Sequence, residues 1–352
     1  MQLLDTTLRD GSYVINFQFS AEDTRLIAAE LDRAGIELIE VGHGVGMGAT
    51  EKGHGIARES DETYMKAAAA VVKKAKWGMF CIPGVAELDQ LDLAADLGMG
   101  FVRVGVSVDN VDFGQPFIAK AKKLGLYVAT NFMKSYTRPP EVFADTAKRA
   151  ADMGADVVYV VDSAGNMTPP EMRAYIEAVR AVTKVPIGIH AHNNLGLANA
   201  NALEAMRLDC AIIDVSLQGM GRCTGNTVTE EFVAILDRLG HAHDYDLFRL
   251  MDVAETLVRP RLSIIGHDTV DLVCGLAGFH SSYMSVIRDA CLAFNVDPRR
   301  LILEVCQVTK ADAPWQLVEE KARAIAAEDR RNGYRHRFPL RHYFGHEQDG
   351  LS

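Results

Sequence analysis

Residues 2–11 have the sequence QLLDTTLRDG, a short apolar run that ends in charged groups. The run has the length and composition of a buried β-strand, and Arg9 and Asp10 follow it within a few residues. The same order, an apolar run and then polar groups, recurs along the chain. It is typical of parallel sheets whose functional groups lie at the carboxyl ends of the strands.

Eight such runs alternate with longer segments of helical pattern. The runs lie at residues 2–5, 38–42, 78–82, 101–106, 127–132, 157–161, 187–191 and 212–216. Between them, segments such as 21–34 and 141–153 carry apolar residues at helical spacing. Eight strand–helix units predict an α/β fold, a (β/α)8 TIM barrel, with catalytic groups at the C-terminal ends of its strands.

The chain is predicted to have three parts. Residues 1–240 form the barrel, which we expect to be a metal-dependent catalytic domain. Beyond it the pattern is helical throughout, so residues 241–328 are predicted to form a helical C-terminal domain. Residues 329–352, which are rich in arginine and histidine, are predicted to be a solvated basic tail.

Composition limits the classes of function. A chain of 352 residues, 48% of them hydrophobic, is long enough for one large core and an appendage. The net charge of −10 argues against nucleic-acid binding, which needs basic residues along the phosphates. The apolar runs are too short to cross a bilayer and no signal-like segment precedes the first strand, so we expect a cytoplasmic protein without membrane partners. The scattered cysteines are expected to be reduced.

Two histidines and a carboxylate predict a metal site. His190 and His192 stand at i and i+2 on one side of the seventh predicted strand, and Asp10 follows the first strand. These nitrogen and oxygen donors suit Mn²⁺, Mg²⁺ or Co²⁺, of which we expect Mn²⁺, with coordination positions open for a chelating substrate. A His-x-His pair alone is equally often a pair of hydrogen-bonded core imidazoles. Asp10 favours the metal site.

Six blocks of the sequence together resemble a known family. They lie at residues 5–11, 40–44, 161–165, 190–194, 219–226 and 278–282. The chain is similar, from Met1 to about residue 327, to the 4-hydroxy-2-oxovalerate aldolases, relatives of isopropylmalate synthase and hydroxymethylglutaryl-CoA lyase. The resemblance implies a class II, divalent-metal-dependent aldolase that interconverts a 4-hydroxy-2-oxo acid with pyruvate and an aldehyde through a metal-stabilised enolate.

The resemblance also implies roles for individual residues in substrate binding. Arg9 would place its guanidinium over the keto oxygen and carboxylate of the 2-oxo acid, where it neutralises the forming enolate. The alternative is an ion pair with Asp10 or a neighbouring carboxylate. Ser163 resembles a serine that hydrogen-bonds the pyruvate carboxylate, although it could also cap a helix. His190 is expected to contact the substrate as well as the metal.

Two positions depart from the family pattern. The aldolases carry a histidine two residues after the glycine of the first motif and a tyrosine in the Gly-x-x-Ser-Ser block, whereas this chain has Tyr13 and His280. A reciprocal exchange predicts His280 as the catalytic base, since imidazole titrates near neutrality, with Tyr13 orienting it. The alternative is that Tyr13 only fills space and the base is lost or reassigned, which would change the substrate or the reaction.

Four further residues are candidates with a structural alternative. Asn226 resembles a metal ligand of the lyase branch, but its counterpart in the aldolases shapes a turn. Cys223 resembles a loop cysteine of hydroxymethylglutaryl-CoA lyase that transfers protons, but a thiol tolerated for its size explains it as well. His43 could orient groups around the metal or make a structural hydrogen bond. Lys134 is expected to pair with a carboxylate, either of the protein or at the far end of the substrate.

Alternative functions and partners follow from the same features. The second prediction for the reaction is an acyl-CoA lyase or synthase, and the third is a barrel that has lost its base and binds a partner. The resemblance implies that the helical domain contacts an aldehyde dehydrogenase, and the apolar residues 270–279 would also suit a homodimer.

Overall fold

The computed structural model describes residues 1–262 and 269–332. Its first part is a closed barrel of eight parallel strands in sequence order, which confirms the predicted TIM barrel. The strands are β1 (Gln2–Asp5), β2 (Leu38–Glu40), β3 (Lys76–Cys81), β4 (Phe101–Ser107), β5 (Tyr127–Met133), β6 (Val157–Asp162), β7 (Ile187–Ala191) and β8 (Ile212–Val215). Pairing of Leu3 with Ile213 joins β1 to β8 and closes the barrel.

Eight helices follow the strands and cover the barrel. They are α1 (Ala21–Arg33), α2 (Asp61–Val71), α3 (Leu88–Asp96), α4 (Gln115–Lys123), α5 (Pro140–Asp152), α6 (Pro169–Val182), α7 (Ala198–Arg207) and α8 (Thr229–Leu239). Local sequence determines where several of these helices begin. At the start of α1, the Ser20 hydroxyl accepts from the backbone nitrogen of Asp23, and the Asp23 side chain accepts from the backbone nitrogen of Ser20, which together form a capping box. The strands are buried on both faces, which explains their nearly continuous apolar sequence.

The helical C-terminal region divides between two cores. Helix α9 (Leu247–Val253) and the turn after it place Leu250, Val253 and Val258 in the core of the barrel. The second core belongs to the last four helices, α10 (Thr269–Ala277), α11 (Met284–Phe294), α12 (Pro298–Cys306) and α13 (Trp315–Asn332). The boundary between the two cores therefore lies after residue 258, whereas the predicted domain boundary is at residue 240.

The predicted tail begins later than expected. Helix α13 continues to Asn332, so residues 329–332 are helical and Asp329 is buried. The remainder of the predicted tail, 333–352, lies outside the described residues.

Among the described helices, none alone is long and apolar enough to cross a membrane. The pair Thr269–Ala277 and Ser281–Phe294 reaches the required length and composition only when counted together, across a bend of 112°. The six cysteines, all in the described part of the chain, form no disulfide with one another, and Cys223 is the least buried of them.

Candidate active site

The polar groups after β1 and on β7 converge at the carboxyl end of the barrel. Asp10 begins a short 3-10 turn after β1, His190 is the fourth residue of β7, and His192 directly follows that strand. All three are buried, and one ligand atom from each lies within 4.8 Å of those of the other two. The Nε2 atoms of the two histidines are 3.3 Å apart. The predicted metal ligands are thus together in one cluster.

A contact with Asp214 determines which ring nitrogen of His190 faces the cluster. Its Nδ1 lies 2.8 Å from Oδ2 of Asp214, a carboxylate that can only accept, so Nδ1 carries a proton and Nε2 faces the cluster. Burial lowers the pKa of His192 to about 3, which keeps its imidazole neutral. His192 therefore has the protonation state that a metal ligand needs.

Arg9 is held by two carboxylates. Its Nη1 donates to Asp10 at 2.6 Å and its Nε donates to Glu40 at 2.6 Å. The ion pair that was the alternative to substrate binding is therefore present. This ion pair does not use Nη2 of Arg9, which is buried and has no hydrogen-bond partner among the described residues. Arg9 also lines the active-site cavity. Although burial opposes ionisation of Asp10, the positive charge of Arg9 and the hydrogen bond from Asn226 hold the pKa of its carboxyl well below the usual range.

A buried arginine inside the barrel links these groups. Arg103 donates through Nε to Glu40 at 2.8 Å and through Nη1 to Asp214. Its side chain is fully buried, so its pairing with two carboxylates is what allows the charges to lie inside the barrel. Arg103 and Asp214 were not among the residues predicted from the sequence. Each is a charged residue inside an otherwise apolar strand, a pattern that indicates a buried partner of opposite charge.

Asn226 positions Asp10. Its Nδ2 donates to Oδ2 of Asp10 at 2.8 Å and to the carbonyl oxygen of Met220 at 3.1 Å. The amide nitrogen, rather than the oxygen, therefore faces the cluster. This geometry suits a group that orients a carboxylate and does not offer the additional ligand considered for this residue.

Ser163 lies in the cavity wall and does not cap a helix. The first residue of α6 is preceded by Thr168, which is the cap. The hydroxyl oxygen of Ser163 accepts from the backbone nitrogen of Lys134 at 2.9 Å, so its own proton remains available to a ligand.

Tyr13 and His280 both line the cavity, and the guanidinium of Arg222 contacts both of them. Nη1 of Arg222 is 3.4 Å from Nε2 of His280, and Cζ is 5.1 Å from the centroid of the Tyr13 ring. Nδ1 of His280 accepts from the backbone nitrogen of Ser282 at 3.2 Å and lies 2.7 Å from the Ser282 hydroxyl oxygen. Arg222 was not among the site residues predicted from the sequence.

The environment of His280 makes it a weak base. Burial first, and then the positive charges of Arg222 and Lys134, hold the pKa of its imidazole well below the usual value. His280 is therefore neutral, as a base must be, but it gains a proton only with difficulty.

His43 has a structural role. Its Nδ1 accepts from the backbone of Val45 at 3.0 Å, its Nε2 lies 3.2 Å from the Gly55 carbonyl oxygen, and its ring stacks on Phe17. Burial lowers its pKa to about 4. With both nitrogens engaged, the structural alternative describes this residue.

Lys134 contacts the C-terminal helices instead of a carboxylate. Its Nζ bonds to the hydroxyl of Tyr283 and to the carbonyl oxygen of Ala311 at 3.3 Å. The expected salt bridge is thus replaced, among the described residues, by contacts that join the barrel to the second core.

Cys223 lies on the loop after β8 with a left-handed φ of 56° and is half-buried.

The clustered metal-ligand candidates, Arg9, Ser163, Tyr13 and His280 line one cavity of about 60 Å³. Its polar lining consists of Arg9, Asp10, Tyr13, Asn131, Ser163, His190, His192, Arg222 and His280. The closed barrel and the convergence of these groups at its carboxyl end define a TIM-barrel enzyme with a candidate divalent-metal site. A family model described as HMGL-like matches residues 1–257, so the chain belongs to that family.

Similarity to curated relatives identifies the branch of the family to which the chain belongs. The 4-hydroxy-2-oxovalerate aldolase of Carboxydothermus hydrogenoformans is 40% identical over 308 residues, which are 87% of this chain and 91% of the relative. That of Moorella thermoacetica is also 40% identical, over 87% of this chain and 90% of the relative. The chain is thus a member of the 4-hydroxy-2-oxovalerate aldolase family, a family of carbon–carbon lyases, as its sequence motifs predicted.

A relative with another name is equally similar. The protein named oxaloacetate decarboxylase in Mycobacterium tuberculosis is 40% identical over 289 residues, 82% of this chain and 85% of the relative.

Solved structures agree on the fold. The carboxyl transferase domain of Rhizobium etli pyruvate carboxylase matches with a TM-score of 0.75 and 14% identity, over 93% of this chain and 60% of that one. The HMG-CoA lyase of Brucella melitensis matches with a TM-score of 0.63 and 18% identity, over 75% of this chain and 99% of that one.

Proposed function

We propose that this protein is a divalent-metal-dependent aldolase that interconverts a 4-hydroxy-2-oxo acid with pyruvate and an aldehyde. The observation that carries the proposal is the convergence of Asp10, His190 and His192 on one cavity that Arg9 also lines. The names of the curated relatives support it.

The three clustered residues fit a divalent ion. Asp10, His190 and His192 would hold it through one oxygen and two nitrogens, a donor set suited to Mn²⁺, our first choice, or to Mg²⁺ or Co²⁺. The proton of His190 on the Asp214 side leaves Nε2 available for this bond. When bound, the ion would act as a Lewis acid on the 2-oxo group of the substrate.

Arg9 and Ser163 would bind the part of the substrate that becomes pyruvate. The carboxylates of Asp10 and Glu40 hold Nε and Nη1 of Arg9, which leaves Nη2 to donate to the keto oxygen as negative charge develops on it. The Ser163 hydroxyl would donate to the substrate carboxylate. Because both groups are fixed by the protein beforehand, little reorganisation is needed during the reaction.

His280 would accept the proton of the C4 hydroxyl. Its imidazole lines the cavity and is neutral, and Arg222 contacts both His280 and the ring of Tyr13. The exchange of residue types at these two positions stays a prediction. Single and double substitutions Tyr13→His and His280→Tyr test it, since a double variant no better than either single variant contradicts a functional exchange.

The first test is metal-dependent release of pyruvate from a panel of 4-hydroxy-2-oxo acids, followed through lactate dehydrogenase. We expect release with Mn²⁺ and none from the metal-stripped protein. Bound metal without release from any member would contradict the aldolase function. It would favour an acyl-CoA lyase or synthase, with Cys223 as the next residue to substitute.

Oxaloacetate decarboxylation is a second candidate. It also breaks a C3–C4 bond to give pyruvate, but it has no hydroxyl proton to remove, and the low pKa of His280 is compatible with such a reaction. The name of the Mycobacterium tuberculosis relative adds support. Including oxaloacetate in the same panel distinguishes the two, because the decarboxylase would release pyruvate faster from oxaloacetate than from any hydroxy acid.

A homodimer or a complex with an aldehyde dehydrogenase stays part of the proposal. In the segment 270–279 that suggested it, Val270 and Cys274 are buried in the second core, whereas Leu272 and Leu276 are exposed. Light scattering with size exclusion, on the protein alone and with a co-expressed dehydrogenase, tests both. A monomer that does not bind the dehydrogenase would contradict them.

A further inference from the structure

Asn131 is a polar residue of the active-site cavity to which the reaction described above gives no role. It lies on β5, is 3% exposed and lines the cavity. Its Oδ1 is buried, and no hydrogen bond between described residues involves its carboxamide. We propose that Asn131 binds the carboxylate of the 2-oxo acid, together with Ser163. This inference rests on the proposed aldolase function and adds one substrate-binding residue to it.

The neighbouring strands explain why the protein leaves Asn131 without a partner. Gly105 of β4 and Tyr159 of β6 lie beside it in the sheet. Gly105 has no side chain, and a Cβ atom there would lie 2.4 Å from the ring of Phe80, which occupies that space. The ring of Tyr159 lies over Gly188 of β7, the strand on its other side. A buried polar group without a protein partner is costly, which indicates a ligand.

Asn131 and Ser163 belong to the same part of the cavity wall. Asn131 is on β5, and Ser163 directly follows β6, the next strand. Lys134, three residues after Asn131, donates its backbone nitrogen to the Ser163 hydroxyl oxygen at 2.9 Å. Its left-handed φ of 63° is uncommon for a residue with a side chain, so the surrounding structure imposes this turn. The end of β5 therefore supplies both the side chain of Asn131 and the support of Ser163.

The other side chains of this wall are apolar. From the loop after β2 round to β6, they are those of Val45, Phe80, Ile82, Met133 and Val161. The charged groups and the candidate metal ligands come instead from β7 and from the loops that follow β1, β7 and β8. A carboxylate placed at Ser163 therefore has one further hydrogen-bonding side chain beside it on this wall, that of Asn131.

The chemistry of the two groups decides which atom makes the contact. A carboxylate can only accept, so Nδ2 of Asn131 would donate to it. The last torsion of an asparagine side chain is roughly two-fold, and turning Nδ2 to the cavity breaks no hydrogen bond between described residues. The carboxylate is the same in the 4-hydroxy-2-oxo acid and in pyruvate. The contact should therefore stabilise bound substrate and transition state equally, so its loss raises KM more than it lowers kcat.

The test measures the binding of pyruvate by calorimetry, on the full chain at saturating Mn²⁺. In Asn131→Leu we expect the Kd of pyruvate to rise about 10- to 100-fold, the scale of one hydrogen bond to a charged group. The Kd of Mn²⁺ should stay unchanged. Pyruvamide, which has a neutral carboxamide in place of the carboxylate, should lose less affinity. Asn110→Leu, at an exposed asparagine of the loop after β4, is the control and should bind both ligands like the wild type.

Asn131→Asp keeps the shape of the side chain and separates the two directions of the hydrogen bond. If Nδ2 donates to the substrate, the new carboxyl repels pyruvate as it ionises, so the Kd of pyruvate rises with pH. If Oδ1 accepts from a substrate hydroxyl instead, pyruvate binds this variant like the wild type, which overturns the inference. Equal losses for pyruvate and pyruvamide in Asn131→Leu also overturn it.

Failure of the aldolase function has a different signature. A wild type that binds pyruvate but releases none from any 4-hydroxy-2-oxo acid contradicts that function, and the binding comparison still decides the role of Asn131. If neither variant folds, equal affinity of the wild type for pyruvate and pyruvamide overturns the inference.

Discussion

Arg103 is the residue on which the charges inside the barrel depend. It pairs with Glu40, which holds Arg9, and with Asp214, which holds His190. Replacement Arg103→Met would take one cation from each of two buried carboxylates, leaving Glu40 with Arg9 alone and Asp214 with the imidazole of His190. We expect the free energy of unfolding to fall by about 3–5 kcal/mol, the usual cost of breaking a buried ion pair on one side.

Urea unfolding followed by circular dichroism measures this loss. The matched control is Arg25→Met, which removes an exposed ion pair with Glu22 and should cost at most about 1 kcal/mol. Similar losses in the two variants would show that burial of the network contributes little to stability.

Asp214 is expected to act on metal affinity through His190. In Asp214→Asn the amide can donate to Nδ1 of His190, which would move the imidazole proton to Nε2, the atom that faces the cluster. The affinity for Mn²⁺, measured by calorimetry on folded protein, should fall about 10- to 100-fold. Asp152→Asn, on the exposed side of α5, is the control and should bind Mn²⁺ like the wild type. Unchanged affinity in Asp214→Asn would exclude a role in setting the tautomer.

At the scale of strands and loops, the sequence predicted where the elements lie better than how their side chains pair. All eight strands were predicted to within two residues at either end, because each is a short apolar run with polar groups after it. Pairing inside the barrel was not predictable in this way. Arg103 meets Glu40 from 63 residues away and Asp214 from 111 residues away, and no local pattern encodes such contacts.

The loop after β8 supplies a prediction at this scale. In Gly221→Ala the new Cβ would lie 2.5 Å from the side chain of Asn226, which must then move away from Asp10. We expect weaker Mn²⁺ binding and a loss of pyruvate release that exceeds any loss of stability. Gly240→Ala is the control, since its left-handed φ of 68° costs about 1 kcal/mol of stability far from the site. Equal Mn²⁺ affinity in the two variants would contradict the coupling of this loop to Asp10.

For the whole molecule, the contacts between the two cores explain what the sequence could not predict of the site. His280 and Arg222 are 58 residues apart, and they meet because the turn before α11 lies over the barrel. Lys134 contributes to the same junction through Tyr283 and Ala311. The resemblance of the sequence motifs to the family predicted that His280 lies in the cavity. Burial first, and then the charge of Arg222, lower the pKa of His280, so its strength as a base follows from how the two cores pack.

The stability of the whole molecule should depend on pH because burial changes the pKa values of several carboxyl groups. Asp5, which is fully buried, illustrates this effect. Burial raises the pKa of Asp5 from 3.8 to about 6, although Thr7 and Thr229 bond to its carboxylate. The folded chain therefore keeps this proton at pH values where the unfolded chain has lost it. Its contribution to stability is fully present below about pH 4 and is lost as the pH rises to about 6, by on the order of 3 kcal/mol.

Comparison of the wild type with Asp5→Asn isolates this contribution, because asparagine keeps an oxygen to accept from the backbone nitrogen of Thr7 and does not titrate. The stability of the wild type minus that of the variant should fall between about pH 4 and pH 6 and stay constant above. Asp23→Asn serves as the control of opposite sign. Hydrogen bonds from Ser20 and the charge of Arg261 outweigh burial and lower the pKa of Asp23, so its difference should change only below about pH 4. A difference for Asp5→Asn that rises with pH would show that the carboxylate of Asp5 is stabilised in the folded protein.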